Sequence, residues 1–220
     1  MADDTFDRVR AGGIAAILTV HDAASIGDVV DALVDGGVST IEVTLRTSAG
    51  WDAIERLAAR TDAVVGAGTV LTVEDAHRAI DLGARFVVSP GLDEAVVEAT
   101  AGGGALPLPG IATPTELQRA LQLGLSALKL FPAEPLGGVA MLKALAGPFA
   151  DVAFMPSGGV TPALLESYLA QRNVFAVGCS WLVTAELIAA GRFDEIRRRA
   201  RAATELVAAV RGPSTARERG

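Results

Sequence analysis

The chain has 220 residues, half of them hydrophobic, so it is long enough to bury a large core as one large domain or two small ones. The net charge of −7 argues against a general nucleic-acid binder, and no apolar run reaches the roughly 20 residues that span a bilayer. The single cysteine, Cys179, excludes an internal disulfide framework, and with only two histidines the chain offers no zinc-type cluster.

Apolar strands and amphipathic helices alternate along the sequence. The first dozen residues are typical of a short helix that ends at Gly12-Gly13. Strands are then predicted at 14–18, 40–45, 64–66, 86–89, 105–108, 125–132, 152–155 and 174–177. Helices are predicted at 25–36 and 49–59, from 73, 93, 114 and 138 onwards, and behind each of the last two strands. The start at 114 is firm, because Thr113-Pro114-Thr115-Glu116 is a capping box with proline at the first helical position.

This alternation predicts an α/β protein built as a (β/α)8 TIM barrel. Eight strand–helix units of similar length suit a barrel of ordinary size. A doubly wound open sheet would alternate in the same way, but no Gly-x-Gly-x-x-Gly motif opens the first helix. We therefore predict one barrel domain over residues 1–211, with a short N-terminal helix.

The two ends of the chain give weaker signals. Residues 1–4 are acidic and lack the charged and apolar regions of a signal peptide, so we expect a cytoplasmic protein with no membrane or nucleic-acid partner. Residues 212–220 are rich in Pro, Ser and Arg and are predicted to be disordered. We expect no metal and no cofactor, although composition alone does not exclude a carboxylate-held magnesium ion.

One lysine lies in an unusual place. The chain has 17 Arg but only 2 Lys, and Lys129 lies within the apolar strand that leads to Phe131-Pro132. Desolvation of an ammonium group favours the neutral amine, which is a nucleophile that can form a Schiff base with a carbonyl substrate. A lysine that extends from a strand end to water, or one in a buried salt bridge, would give the same pattern.

Side-chain alternation places a carboxylate in the same lumen as this lysine. In the second strand Glu42, Thr44 and Arg46 share the face opposite to the apolar one, so they are predicted to point inward. In the lysine strand the inward residues are Lys129 and Phe131. Strands two and six face each other across a barrel of eight, so Glu42 and Lys129 both project into the lumen near its C-terminal mouth. A structural Glu–Lys ion pair is the alternative to a catalytic pair.

Glycine-containing loops follow the last two predicted strands. Pro156-Ser157-Gly158-Gly159 and Gly178-Cys179-Ser180 can bring backbone N–H groups to a phosphate. The segment 66–69 also contains two glycines, and we interpret it as a tight turn that presents Thr69 to a substrate. His21 and Asp22 follow the first strand at the mouth and are weaker candidates for a ligand contact.

Seven segments together resemble the KDPG/KHG aldolases, which act on 2-keto-3-deoxy-6-phosphogluconate and 4-hydroxy-2-oxoglutarate. The segments are 42–47 (EVTLRT), 65–71 (VGAGTVL), 89–91 (SPG), 109–113 (PGIAT), 129–134 (KLFPAE), 156–160 (PSGGV) and 178–182 (GCSWL). The likeness runs in order from about Ile14 to Arg211.

The resemblance implies a metal-independent class I aldolase that is commonly a homotrimer. It would cleave 2-keto-3-deoxy-6-phosphogluconate reversibly to pyruvate and glyceraldehyde 3-phosphate, as in the Entner–Doudoroff route. Lys129 matches the Schiff-base lysine and Glu42 the general acid/base. The implied substrate-binding residues are Arg46 and Thr69 at the pyruvate carboxylate, Pro90 and Phe131 in the pocket, and Ser157, Gly158, Gly159, Gly178 and Ser180 at the phosphate.

The chain departs from the family pattern after its first strand. The family usually has a basic residue there, whereas this chain reads Leu18-Thr19-Val20-His21. Ser157 stands where threonine is frequent. Three other readings stay open: the same chemistry on 4-hydroxy-2-oxoglutarate or a phosphogalactonate, a phosphosugar isomerase or epimerase, and a non-catalytic barrel.

Overall fold

The computed structural model describes residues 2–212. Its strands are β1 Ile14–Leu18, β2 Thr40–Thr44, β3 Val64–Gly68, β4 Phe86–Ser89, β5 Leu106–Ile111, β6 Ala127–Leu130, β7 Ala153–Pro156 and β8 Val177–Cys179. Its helices are α1 Ala2–Gly12, α2 Ile26–Asp35, α3 Ala49–Leu57, α4 Val73–Asp81, α5 Glu94–Gly102, α6 Pro114–Gln122, α7 Gly138–Ala146, α8 Leu165–Leu169, α9 Ala185–Ala189 and α10 Phe193–Arg211. A 3₁₀ turn at Pro162–Leu164 leads into α8.

The strands form a parallel barrel, which confirms the predicted fold. Their order is β7-β6-β5-β4-β3-β2-β1-β8, and neighbours pair in parallel throughout. The ring closes through a parallel bridge between Phe154 of β7 and Val174, just before β8. The predicted eighth strand at 174–177 was therefore placed too early: Val174 makes the closing bridge, and β8 itself is Val177–Cys179. The predicted disordered tail lies outside the described residues from 213 onwards.

Capping side chains fix the starts of several helices. Thr72, Asp93 and Thr113 each accept a hydrogen bond from the backbone N–H three residues later, which satisfies a donor that the helix itself cannot. At Thr113 the Glu116 side chain also accepts from the Thr113 N–H, so the predicted capping box is present. These caps fix where the chain leaves the mouth of the barrel and turns into a helix.

The core divides between the outside and the inside of the barrel. Leu128 and Leu130 of β6 join the outer cluster that packs against the helices, as the alternation predicted. The inner cluster fills the lower part of the lumen and consists of Val9, Ala15, Val64, Phe86, Val88, Leu108, Met155, Phe175 and Ala176. Helix α1 closes this end, since Val9 is fully buried there and Phe6 packs against Phe175 with ring centroids 5.1 Å apart. The open end is therefore the C-terminal mouth.

Candidate active site

Lys129 and Glu42 meet inside the barrel, as the alternation predicted. Lys129 on β6 is 6% exposed and Glu42 on β2 is 1% exposed. The Lys129 Nζ lies 3.4 Å from Glu42 Oε1. The second carboxylate oxygen, Oε2, is also buried and makes no hydrogen bond within residues 2–212. One oxygen of Glu42 thus faces the amine, while the other has no hydrogen-bond partner among the described residues.

Two glycines of β3 allow close packing inside the barrel, one against Glu42 and one against Phe86. A β-carbon at Gly68 would lie 2.3 Å from Glu42 Oε1, and one at Gly66 would lie 2.4 Å from the ring of Phe86. The interpretation of segment 66–69 as a tight turn was wrong for its glycines, because both belong to the strand. Only Thr69 leaves it, with φ of 62°, a conformation that is uncommon for a residue with a side chain.

Phe131 connects the lysine with the loop after β7. The Lys129 Nζ lies 5.1 Å from the centroid of the Phe131 ring. On its other side the ring faces Gly158, where a β-carbon would come within 3.1 Å of it. The glycine loop therefore lies one aromatic ring away from the amine.

Two neighbouring backbone N–H groups of this glycine loop point to the same side. Ala133 N–H donates to the Ser157 carbonyl at 2.8 Å, and Glu134 N–H donates to the Gly158 carbonyl at 3.1 Å. In a trans peptide the N–H points opposite to the carbonyl, so the N–H groups of Gly158 and Gly159 both point away from β6. Both glycines have positive φ, 93° and 87°. Two successive N–H groups on one side form a concave donor site for an anion.

A buried tyrosine supports the loop from behind. Tyr168 of α8 is fully buried, and its hydroxyl donates to Glu134 Oε1. Burial, and then this hydrogen bond to a carboxylate, raise the pKa of Tyr168 well above its usual range. The Glu134 side chain also packs on Gly159, where a β-carbon would lie 2.7 Å from Glu134 Cβ. Glu134 thus holds the loop through both its backbone and its side chain.

The end of β8 completes the anion side of the mouth. A β-carbon at Gly178 would lie 2.9 Å from Ile17 Cδ1 and 3.0 Å from the Ser157 hydroxyl, so β1, β7 and β8 meet at this glycine. Ser157 is buried, whereas Ser180, just past the strand, is exposed. Burial raises the pKa of the neighbouring Cys179 thiol to about 12, so the thiol stays protonated at neutral pH.

Other predicted residues lie at the rim. Arg46 is exposed and makes no hydrogen bond or ion pair within residues 2–212. The alternation does not extend to it, because β2 ends at Thr44 and the chain turns there. Thr69 and Pro90 are half-buried, and the Pro90 carbonyl packs against Gly110. His21 is exposed and lines a surface groove of about 580 Å³.

Three side chains at the mouth were not among the predicted site residues, although Thr44 was predicted to point inward. Thr44 Oγ1 donates to the Leu18 carbonyl at 3.0 Å and lies 3.0 Å from Thr19 Oγ1. Glu134 and Tyr168 form the support described above. The sequence pattern did indicate Thr44, because it shares an inward face with Glu42. Tyr168 is distinguished in the sequence only as the single tyrosine of the chain. The contacts themselves join residues that are distant in sequence, which no local pattern reports.

Within residues 2–212, no three side chains of His, Cys, Asp or Glu gather into a group that could hold a metal ion. In the same part of the chain, no helix has both the length and the apolar character needed to cross a membrane.

A lysine and a carboxylate enclosed in a TIM barrel, beside a backbone site for an anion, define an enzyme of the aldolase class. A family model described as KDPG and KHG aldolase matches residues 6–199, and the chain belongs to this family. The KHG/KDPG aldolase of Escherichia coli (strain K12) is 43% identical over 198 residues, which cover 90% of this chain and 93% of that protein. The 2-dehydro-3-deoxy-phosphogluconate aldolase of Treponema pallidum (strain Nichols) is 44% identical over 194 residues, 88% of this chain and 91% of that protein.

Solved structures give the same answer. A KDPG aldolase from Legionella pneumophila, with pyruvate captured at low pH as a covalent carbinolamine intermediate, has a TM-score of 0.87 at 34% identity. That match covers 90% of this chain and 97% of the other. A KDPG aldolase of Zymomonas mobilis ZM4, solved with 3-phosphoglycerate, has a TM-score of 0.86 at 36% identity and covers 94% of this chain and 97% of that one.

Proposed function

We propose that this chain cleaves 2-keto-3-deoxy-6-phosphogluconate reversibly into pyruvate and glyceraldehyde 3-phosphate, through a Schiff base on Lys129. The observation that supports this most is the buried amine of Lys129, 3.4 Å from a carboxylate that has a second, unpartnered oxygen. A structural ion pair would need hydrogen-bond partners for both oxygens to offset the desolvation of the carboxylate. A catalytic pair needs a free acceptor beside the amine.

In the first half of the reaction the unprotonated Lys129 amine attacks the keto carbon. A carbinolamine forms, and loss of water gives an iminium ion, which withdraws electrons better than the ketone. The Glu42 carboxylate accepts the proton of the C-4 hydroxyl. The bond between C-3 and C-4 then breaks, its electron pair moves into the iminium to give an enamine, and glyceraldehyde 3-phosphate leaves.

In the second half Glu42 returns its proton to C-3 of the enamine. This step restores the iminium ion and regenerates the carboxylate. Addition of water and release of the amine then free pyruvate.

The remaining residues would bind the two ends of the substrate. Arg46 and Thr69 would hold the carboxylate of the pyruvate half, for which arginine offers a bidentate geometry. Pro90 and Phe131 would line the pocket between the ends. The phosphate would bind to the N–H groups of Gly158 and Gly159, with Ser157, Gly178 and Ser180 beside them.

Borohydride trapping tests the covalent step directly. The protein is mixed with pyruvate and borohydride, and the adduct is mapped by mass spectrometry. We expect a reduced pyruvyl group on Lys129, because this amine faces the lumen. Lys143, the second lysine of the chain, is exposed on α7 and provides an internal control. An unmodified protein, or label on Lys143 alone, would contradict the proposal.

Turnover then separates the alternatives. Comparing kcat/KM for 2-keto-3-deoxy-6-phosphogluconate, its phosphogalactonate isomer and 4-hydroxy-2-oxoglutarate identifies the preferred keto acid. Lys129→Met should abolish the adduct and the cleavage while it keeps the fold. A phosphosugar isomerase would form no pyruvate adduct. A non-catalytic barrel would turn over none of these acids.

We also propose a cytoplasmic homotrimer that acts in the Entner–Doudoroff route. The family resemblance supports this assembly, and the exposed Leu71, in the loop after β3, offers an apolar side chain to a neighbouring copy. Light scattering on the purified protein tests it. A monomer at micromolar concentration would contradict the trimer.

A further inference from the structure

Thr19 lies where the first strand opens into the mouth. Along β1 the inward residues alternate: Ala15 belongs to the inner cluster, and Ile17 faces Gly178. Thr19 lies one residue past the end of β1 and is half-buried, and its contact with Thr44 places it beside the inner face of β2. Its hydroxyl lies 3.0 Å from that of Thr44, which is two residues beyond Glu42 on β2.

The hydrogen atoms of these two hydroxyls can be assigned. The Leu18 carbonyl can only accept, so the single hydrogen of Thr44 is used in the 3.0 Å bond to it. The 3.0 Å distance between the two hydroxyls allows either to donate, and the bond to Leu18 leads us to assign Thr44 Oγ1 as the acceptor and Thr19 as the donor. The only hydrogen of Thr19 is therefore used within the protein. With its hydrogen used in this way, Thr19 Oγ1 has only lone pairs left for a ligand.

The position of β1 in the barrel indicates which part of a substrate meets these lone pairs. Strand β1 lies between β8, which carries Gly178 on the anion side, and β2, which carries Glu42. A substrate that extends from Glu42, where its C-4 oxygen reacts, to an anion site at the β7 and β8 loops passes β1. The substrate carbon that lies beside β1 is then C-5, which is the carbon next to the aldehyde carbon of the cleaved product.

We propose that Thr19 is a specificity-determining residue that accepts a hydrogen bond from a hydroxyl on this carbon. The proposal rests on the proposed function and names its preferred substrates: acids whose aldehyde half is a 2-hydroxyaldehyde. An anionic oxygen at the same place would face lone pairs and be repelled. The enzyme should therefore favour 2-keto-3-deoxy-6-phosphogluconate, whose C-5 bears a hydroxyl, over 4-hydroxy-2-oxoglutarate, whose C-5 is a carboxylate.

The test is the aldol addition of pyruvate to two aldehydes, glyceraldehyde 3-phosphate and 3-phosphooxypropanal, which lacks only the hydroxyl. Thr19→Val keeps the shape and removes the acceptor. We expect it to lower kcat/KM for glyceraldehyde 3-phosphate about three- to tenfold, the size of one neutral hydrogen bond, and to leave the deoxy aldehyde unchanged. Thr19→Ser should retain the selectivity, and Thr19→Ala should replace the valine variant if that one does not fold.

A second variant tests the direction of the hydrogen bond. Thr44→Val removes the acceptor for the Thr19 hydrogen, so the Thr19 hydroxyl becomes free to donate towards the mouth. The ratio of kcat/KM for 4-hydroxy-2-oxoglutarate to that for the phosphogluconate should then rise. An unchanged or lower ratio, measured on folded protein, would contradict the assigned donor.

The two proposals can fail separately. Each variant is also trapped with pyruvate and borohydride. If the wild type gives no adduct on Lys129, the proposed function is wrong. If the adduct forms but Thr19→Val changes both aldehydes equally, or neither of them, the role of Thr19 is wrong and the Schiff-base chemistry stands.

Discussion

Replacing Tyr168 by Phe should weaken both the fold and the anion site. The change removes one hydroxyl from a fully buried ring and leaves the Glu134 carboxylate without its donor. Hydrogen bonds to charged groups contribute about 1.5–3 kcal/mol, so we expect the free energy of unfolding to fall by about 2 kcal/mol. For a chain of this length the midpoint of thermal unfolding should fall by about 4–8 °C. Urea titration and calorimetry measure both values.

The effect on catalysis should depend on the phosphate. The Glu134 N–H donates to the Gly158 carbonyl. If Glu134 becomes more mobile, the two N–H groups that would bind phosphate are held less rigidly. We expect Tyr168→Phe to raise KM for 2-keto-3-deoxy-6-phosphogluconate several-fold, with little change for 4-hydroxy-2-oxoglutarate, which has no phosphate. Glu134→Gln keeps an acceptor for the tyrosine and should have a smaller effect. Equal losses on both substrates would refute this account of the loop.

The same hydrogen bond predicts a pH dependence. The pKa of Tyr168 is raised in the folded state by burial and by Glu134, whereas an unfolded tyrosine titrates near pH 10. Above about pH 10 the folded state therefore binds more protons than the unfolded state, and stability falls as the pH rises. The difference in stability between wild type and Tyr168→Phe should be constant below pH 10 and shrink above it. Because the chain has one tyrosine, tyrosinate absorbance follows this residue directly, and its titration near pH 10 in folded protein would contradict the prediction.

Two further substitutions test the site and the seam of the barrel. Gly68→Ala should displace the Glu42 carboxylate and lower kcat about a hundredfold with the fold intact. Its control is Gly27→Ala, at a helix position with open space. This variant should keep full activity and increase the free energy of unfolding by up to about 1 kcal/mol. Arg211→Ala should lose about 2–3 kcal/mol in urea unfolding, because the guanidinium donates two 2.9 Å hydrogen bonds to carbonyls beside the closing bridge. Arg201→Ala, exposed on the same helix, should change stability by less than about 0.5 kcal/mol. Comparable losses in a variant and its control would contradict each explanation.

The fold and the central pair could be predicted because both follow from local patterns. A period of two along β2 and β6 assigns Glu42 and Lys129 to the inner face, and the barrel topology then brings opposite strands together. The same alternation failed for Arg46, because it assumes that the strand continues, and β2 ends two residues earlier. Where a strand ends depends on its pairing with neighbours, which the pattern does not contain.

The supporting residues could not be predicted for a different reason. Glycines in a strand indicate that another group approaches closely, but the sequence does not show which group. At Gly68 it is the Glu42 carboxylate from the neighbouring strand β2, and at Gly66 it is the ring of Phe86. The Tyr168–Glu134 contact likewise joins residues 34 positions apart. Such contacts depend on the register between elements, and a resemblance to a family supplies residue identities without their neighbours.

The lumen combines an apolar lower part with a polar upper part. Its lower end is filled by apolar side chains and closed by α1, whereas its upper part holds an amine, a carboxylate and a carboxylate oxygen with no partner among the described residues. Replacing a buried ion pair by apolar residues of similar volume is often neutral or stabilising, so stability alone does not explain why Lys129 and Glu42 are there. The pair is best explained by the reaction it would perform, and Gly68 by the space that the Glu42 carboxylate requires.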